Sequence, residues 1–132
     1  MKILIADDDP DLTNALAMRC RQNGWTAIVA HEGFAALTLA RAEKPDVLCL
    51  DVEMPSGRGL AVSEMLQTDG DFCSTPMIIL TGRKDPNTIR RCHEQGLYYV
   101  LKCPNSWERI EPLLVEFAAK IEERRAAFLE SL

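Results

Sequence analysis

The chain lacks what membrane insertion, secretion and nucleic-acid binding usually leave in a sequence. Its N-terminal apolar run, Ile3 to Ala6, is far too short for a signal-peptide core or a bilayer span, and no signal peptide is visible. Positive charge is not in excess: 15 Lys and Arg face 20 Asp and Glu, a net −5 that does not favour a duplex-DNA surface. Aromatics are only 6% of the chain, and Trp25 and Trp107 read as packing anchors rather than ligand stackers. The five cysteines, Cys20, Cys49, Cys73, Cys92 and Cys103, are odd in number and scattered. They form no CxxC pair and no cluster with His31 or His93, which argues against a disulfide framework or a thiolate metal site. Reduced thiols in a cytoplasmic protein are the expectation. Cys49, inside an apolar run, reads as a small core hydrophobe.

What is present is an alternation. Five short apolar runs, at 2–6, 26–30, 46–50, 77–81 and 98–102, are separated by helical patterns at about 11–23, 33–43, 58–68, 86–95 and from 106 onward. The first, third and fourth runs show little polar alternation, as strands covered on both faces do. Gly24 and Gly96 follow helical patterns as glycine stops, Pro45 follows the second, and Thr75-Pro76 leads into the fourth strand. Strand and helix alternating five times predict an α/β fold: one doubly wound parallel sheet with right-handed crossovers. At 132 residues this is one domain. We assign it to residues 1–121, with 122–132 as an extension of the last helix.

In such a sheet, ligands collect at the carboxyl ends of the strands. Asp7, Asp8 and Asp9 stand after the first strand, Asp51 after the third, Thr81 at the fourth and Lys102 at the fifth. Clustered carboxylates invite a hard divalent cation, Mg²⁺ or Mn²⁺. A lysine adds a fixed positive point and a threonine hydroxyl can donate to a phosphoryl oxygen. The set suits phosphoryl transfer with an aspartate as nucleophile. Asp9 is better explained as a helix N-cap ahead of Pro10, with Asp11 as first-turn charge. Asp7 and Asp8, adjacent on a strand end, point in different directions and cannot both cap one helix. His31 and His93 read as surface residues on a loop and a helix.

The segments "ILIADDD", "PDVLCLDVEMPSGRGL", "TPMIILTG" and "GLYYVLK", in this order, resemble the receiver domain of two-component response regulators over nearly the whole chain. The resemblance implies a flavodoxin-like (βα)5 fold with strand order 2-1-3-4-5. It implies Asp51 as phosphoacceptor, Asp8 as a direct Mg²⁺ ligand and Asp7 acting mainly through water. Asp51 and the backbone carbonyl of Glu53 complete the metal set. Thr81 and Tyr99 are implied as switch residues and Lys102 as the partner of a phosphoryl oxygen. The phosphodonor would be a sensor histidine kinase or a histidine phosphotransfer protein, and the output a changed protein partner or a fused domain. Such a receiver is not an enzyme beyond its own phosphorylation and autodephosphorylation. Two alternatives stand beside it: a phosphorylation-independent interaction module, and a small aspartyl-nucleophile phosphohydrolase with Glu53 as second acid.

Three features depart from the family's pattern or elaborate on it. Cys103 stands between Lys102 and Pro104, where the family has proline directly after the lysine, usually with a cis bond. A cis bond before a non-proline residue costs about 2.5–4 kcal/mol, so Lys102–Cys103 is expected trans, with any cis bond moved to Cys103–Pro104. Gly82 leaves the phosphoryl face open, and Glu53 and Arg83 are expected to set the lifetime of the phosphorylated state by pairing across the entrance. The last helix continues its apolar face through Ile110, Leu114, Phe117, Ile121 and Phe128, interrupted by Arg124. That continuation is either a solvated tail with i,i+4 ion pairs, or a homodimer helix or link to a downstream domain. Pro112 either kinks this helix or marks its start.

Overall fold

The computed structural model describes residues 1–55 and 58–132; Ser56 and Gly57, inside the second quoted segment, lie outside the described residues. The elements run β1 (Lys2–Ala6), α1 (Pro10–Gln22), β2 (Thr26–Ala30), α2 (Gly33–Glu43), β3 (Val47–Asp51), α3 (Gly59–Gln67), β4 (Met77–Thr81), α4 (Pro86–Gln95), β5 (Tyr98–Leu101) and α5 (Trp107–Ser131). All neighbouring strands are parallel, in the order β2-β1-β3-β4-β5, so the fold is flavodoxin-like.

Side-chain alternation along the strands sorts the core into two layers. Leu4, Leu48, Leu50 and Ile79 face α2, α3 and α4, against Ala36, Ala40, Leu60, Leu66 and Cys92. Ile3, Ile5, Cys49, Ile78 and Leu80 face α1 and α5, against Leu16, Cys20, Leu114 and Phe117. Every residue of β3 and β4 is buried, which is why those runs show no polar alternation. Each fully buried aliphatic side chain contributes about 1.5–3 kcal/mol. Among the described residues no helix is long and apolar enough to cross a membrane.

Several boundaries differ from the expected ones, each for a local reason. Helix α1 opens at Pro10, because Asp9 caps it by accepting from the backbone N–H of Asp11 and Leu12. Strand β3 runs one residue further than expected, so Asp51 is its last residue, paired in register with Leu80. A short 3-10 turn at Gly70–Phe72 was not foreseen; the Asp69 carboxylate accepts from Asp71 N–H and Phe72 is buried. Helix α2 stops at Lys44, a non-glycine residue at φ +47°. Pro112 lies inside α5, so it does not mark the helix start.

Candidate functional site

The carboxyl ends of β1, β3, β4 and β5 form one edge of the sheet, and the acids, threonine and lysine meet there. Asp7 and Asp51 are buried, Asp8 is exposed, and carboxylate oxygens of all three lie within 4.8 Å of one another. Lys102 follows β5, held by its backbone N–H donating to Thr81 O at 2.6 Å. Its Nζ lies 2.6 Å from Asp7 Oδ2 and 3.3 Å from Asp51 Oδ2. A cavity of about 280 Å³ opens on this group, lined by Asp8, Asp51, Glu53, Thr81, Arg83 and Lys102. Gly82 also lines it, and a Cβ there would meet nothing within 4 Å, so the cavity mouth is open at this point.

The electrostatics follow from burial and crowding. Burial pushes the Asp51 carboxyl up to about 6, the Asp7 carboxylate pushes the same way, and Lys102 opposes both. Burial pulls the Lys102 ammonium down, but Asp7 and Asp51 outweigh it and leave the group raised. Lys102 therefore stays charged while two buried acids share it.

The residues fit a hard divalent cation. The donor set is all oxygen, and the fully buried Asp7 Oδ2 has only the Lys102 ammonium, 2.6 Å away, to offset its charge. Asp7 Oδ1 is engaged by Asp9 N–H at 2.9 Å. That leaves the exposed Asp8 carboxylate as the one facing the cavity beside Asp51.

The remaining expected residues lie close by. Thr81 Oγ1 accepts from Arg83 N–H at 3.2 Å and donates to Arg83 O at 3.3 Å. Tyr99 is outside the cavity lining, but its hydroxyl donates to the same Arg83 carbonyl at 2.8 Å. Glu53 and Arg83 both line the cavity, yet among the described residues no ion pair joins them, so the expected pairing across the entrance is absent in this state. The Lys102–Cys103 bond is trans, and no cis bond occurs at Cys103–Pro104 or elsewhere among the described residues. The loop is instead shaped by Ser106: its Oγ accepts from Cys103 N–H at 2.8 Å and donates to Cys103 O at 2.6 Å. A proline at 103 would have no N–H to give.

Three supporting residues escaped the sequence reading. Gly59 opens α3 directly against β3, where an added Cβ would stand 2.1 Å from the Asp51 carbonyl oxygen. Its position after "PSGR" was available, but nothing in the sequence says the helix approaches that closely. Ser106 carries no signal beyond standing three residues from Cys103. His31, exposed as expected, also donates from Nδ1 to the Asp7 carbonyl at 3.2 Å.

A doubly wound parallel sheet with an acidic cluster, a hydroxyl and a lysine at its carboxyl edge is the architecture of a receiver-type signalling domain. The chain belongs to the response regulator receiver domain family, whose pattern matches residues 3–114. Response regulator MprA of Mycobacterium avium (strain 104) is 39% identical over 83 residues, which are 63% of this chain and 36% of that one. The match thus spans about a third of the length of that relative. The Francisella response regulator 1452 receiver domain superposes with a TM-score of 0.79 at 26% identity, covering 90% of this chain and 98% of that one. The Vibrio cholerae chemotaxis protein CheY4 shares the fold, with a TM-score of 0.78 at 23% identity over 86% of this chain and 95% of that one. Receiver domains are signalling modules of two-component systems that bind Mg²⁺ at an acidic pocket, and this chain has an acidic cluster of Asp7, Asp8 and Asp51.

Proposed function

We propose that Asp51 accepts a phosphoryl group from a phosphohistidine on a sensor histidine kinase or a histidine phosphotransfer protein. The observation carrying this reading is the position of the Asp51 carboxylate. It is the last residue of a fully buried strand, faces an open cavity, and has Lys102 at 3.3 Å and two further acids within 4.8 Å. A carboxylate oxygen of Asp51 attacks phosphorus, the P–N bond breaks, and its electron pair stays on the imidazole nitrogen. The product is an acyl phosphate on Asp51 and a free histidine.

The side chains of Asp8 and Asp51 and the backbone carbonyl of Glu53 would hold Mg²⁺ or Mn²⁺, with Asp7 behind them. The cation supplies charge neutralisation at the phosphoryl oxygens. Lys102, held raised in pKa by Asp7 and Asp51, transfers its ion pair to a phosphoryl oxygen as Asp51 loses its free carboxylate. Thr81 Oγ1 gives up the Arg83 backbone and donates to the phosphoryl group. Tyr99 holds the same Arg83 carbonyl, so the two hydroxyls respond together. The output is a change of protein partner or of a downstream domain. Glu53 and Arg83, at the cavity mouth, control water access to the acyl phosphate.

The test is incubation with acetyl phosphate and Mg²⁺, read by mass spectrometry. An adduct of one phosphoryl group, lost in Asp51→Asn, is expected. No adduct would mean a phosphorylation-independent module, and turnover of small phosphate esters an aspartyl hydrolase. Unchanged dephosphorylation rates in both Glu53→Ala and Arg83→Ala would remove the lifetime role from those residues.

A further inference from the structure

Among the described residues the backbone carbonyl of Asp7 has one donor, and it comes from a side chain. Strands β1 and β2 run in register to Ala6 and Ala30, and the Asp7 N–H carries the pairing one bond further, to Ala30 O at 3.1 Å. There the second chain leaves the sheet. Glu32 caps α2, its carboxylate accepting from the Ala35 N–H at 2.7 Å, and the Gly33 N–H turns to Pro55 O at 2.9 Å. No backbone N–H of this turn reaches Asp7 O, and the His31 imidazole takes that place, donating from Nδ1 at 3.2 Å. Facing a carbonyl, Nδ1 is the nitrogen that carries the proton. Asp7 has no solvent exposure, so its carbonyl would be buried without a partner if the imidazole were removed.

The bond matters more for Asp8 than for Asp7. Asp7 is fixed several times over: its N–H by Ala30 O, its Oδ1 by the Asp9 N–H at 2.9 Å and its Oδ2 by Lys102 at 2.6 Å. Asp8 is exposed, and among the described residues neither its backbone nor its carboxylate makes a hydrogen bond or ion pair. Yet the Asp7 C=O and the Asp8 N–H belong to one planar peptide unit. Holding the carbonyl fixes the plane from which Asp8 departs. With it goes the direction of the carboxylate that lines the cavity beside Asp51. Without the imidazole that plane can turn toward water.

The same short segment reaches the other side of the site. Gly33, two residues on, bonds to Pro55 in the loop that carries Glu53. Residues 31–33 thus brace the loop after β1 and the loop after β3 from one point. The imidazole is not itself a donor to a cation. The convergent oxygens among the described residues are those of Asp7, Asp8 and Asp51, and His31 lies outside the cavity lining.

We infer that His31 is a positioning residue for the cation site: through the Asp7 carbonyl it orients the Asp8 carboxylate in advance of Mg²⁺ binding. The inference rests on the proposed role of Asp8 as a Mg²⁺ ligand. Groups that orient a ligand without touching the metal change its affinity roughly 10–100-fold, and one bond acting through a peptide plane belongs at the low end.

The test is a Mg²⁺ titration of the 132-residue chain at 25 °C, followed by amide NMR shifts around Asp8 and Asp51, with melting temperatures in EDTA beside it. His31→Leu keeps bulk at the position and offers no donor; it is expected to raise the Mg²⁺ dissociation constant about tenfold. His31→Asn, whose Nδ2 can stand where Nδ1 stands, is expected to recover most of the loss. In acetyl phosphate labelling, His31→Leu raises the Mg²⁺ concentration for half-maximal rate by the same factor and leaves the rate at saturation unchanged. A bond that serves the fold alone would lower the melting temperature in EDTA and leave the dissociation constant, read on folded chain, where it was. That result overturns the inference, as does His31→Asn binding as weakly as His31→Leu. A parent chain that binds no Mg²⁺ removes the role of Asp8 and this inference with it, whereas a parent and a His31→Leu that bind equally remove the role of His31 alone.

Discussion

Position 59 shows how one atom fixes the site. Glycine there lets α3 begin against the backbone of β3, and a methyl group would overlap the Asp51 carbonyl oxygen at 2.1 Å. Backbone on both sides leaves no flexible side chain to yield, so α3 or β3 must shift. Gly59→Ala is expected to destabilise by about 1–3 kcal/mol, the range for overpacking, and to lower the phosphorylation rate at Asp51. Gly70→Ala, with open space around it and outside the cavity lining, serves as the control. If both variants melt and phosphorylate alike, the close approach does not matter. Cys20 makes a second prediction at this scale. Burial pushes its thiol from 9.0 to about 11. The unfolded chain ionises first, so the Cys20 contribution is complete below pH 9, falls between pH 9 and 11, and is gone above. At about 1.36 kcal/mol per unit, the loss approaches about 3 kcal/mol. Urea midpoints of the parent chain and Cys20→Ala should therefore converge as pH rises from 8.5 to 11. A constant difference would show that the thiol does not ionise on unfolding in this range.

At the scale of elements, most of the fold was legible because hydrophobic period and punctuation agree. The five strands were placed to within a residue, since β3 and β4 are covered on both faces and β1 nearly so. The Asp9 cap was legible because Pro10 follows it. What could not be read depends on tertiary contact. The 3-10 turn at Gly70–Phe72 exists because Phe72 reaches the core, and the α3 start depends on Gly59 touching β3. The loop after β5 is the clearest case. The misplaced proline was visible, and so was the expectation of a trans bond, but the device that replaces the proline was not. Ser106, buried and bonded to both backbone groups of Cys103, takes that role. Ser106→Ala leaves the Cys103 N–H without its acceptor and should cost about 1–3 kcal/mol. It should also slow phosphorylation, because Lys102 is the preceding residue. A melting temperature within error of the parent would show that the loop holds without the serine.

For the whole molecule, the acidic edge is a local cost that the rest of the fold carries. Asp7 has no solvent exposure, Asp51 has almost none, and one lysine stands between them, while Asp8 adds a third negative charge. The two core layers hold β1 and β3 adjacent, with Ala6 in register with Leu50, so the strands cannot separate to relieve the repulsion. A cation bound there acts on the folded state only, because the three carboxylates come from segments more than forty residues apart in the unfolded chain. Its stabilisation follows mass action, about 2.7 kcal/mol at a hundredfold excess over the dissociation constant. Adding Mg²⁺ should therefore raise the melting temperature by several degrees, saturating with concentration, while Na⁺ at equal ionic strength should not. Asp8→Asn should remove most of the rise, because its carboxylate faces the cavity beside Asp51. Asp11→Asn, on the exposed first turn of α1, should leave the rise intact. If Asp8→Asn keeps the full Mg²⁺ response, the cation is held elsewhere and the cluster at the head of β1 is not its site.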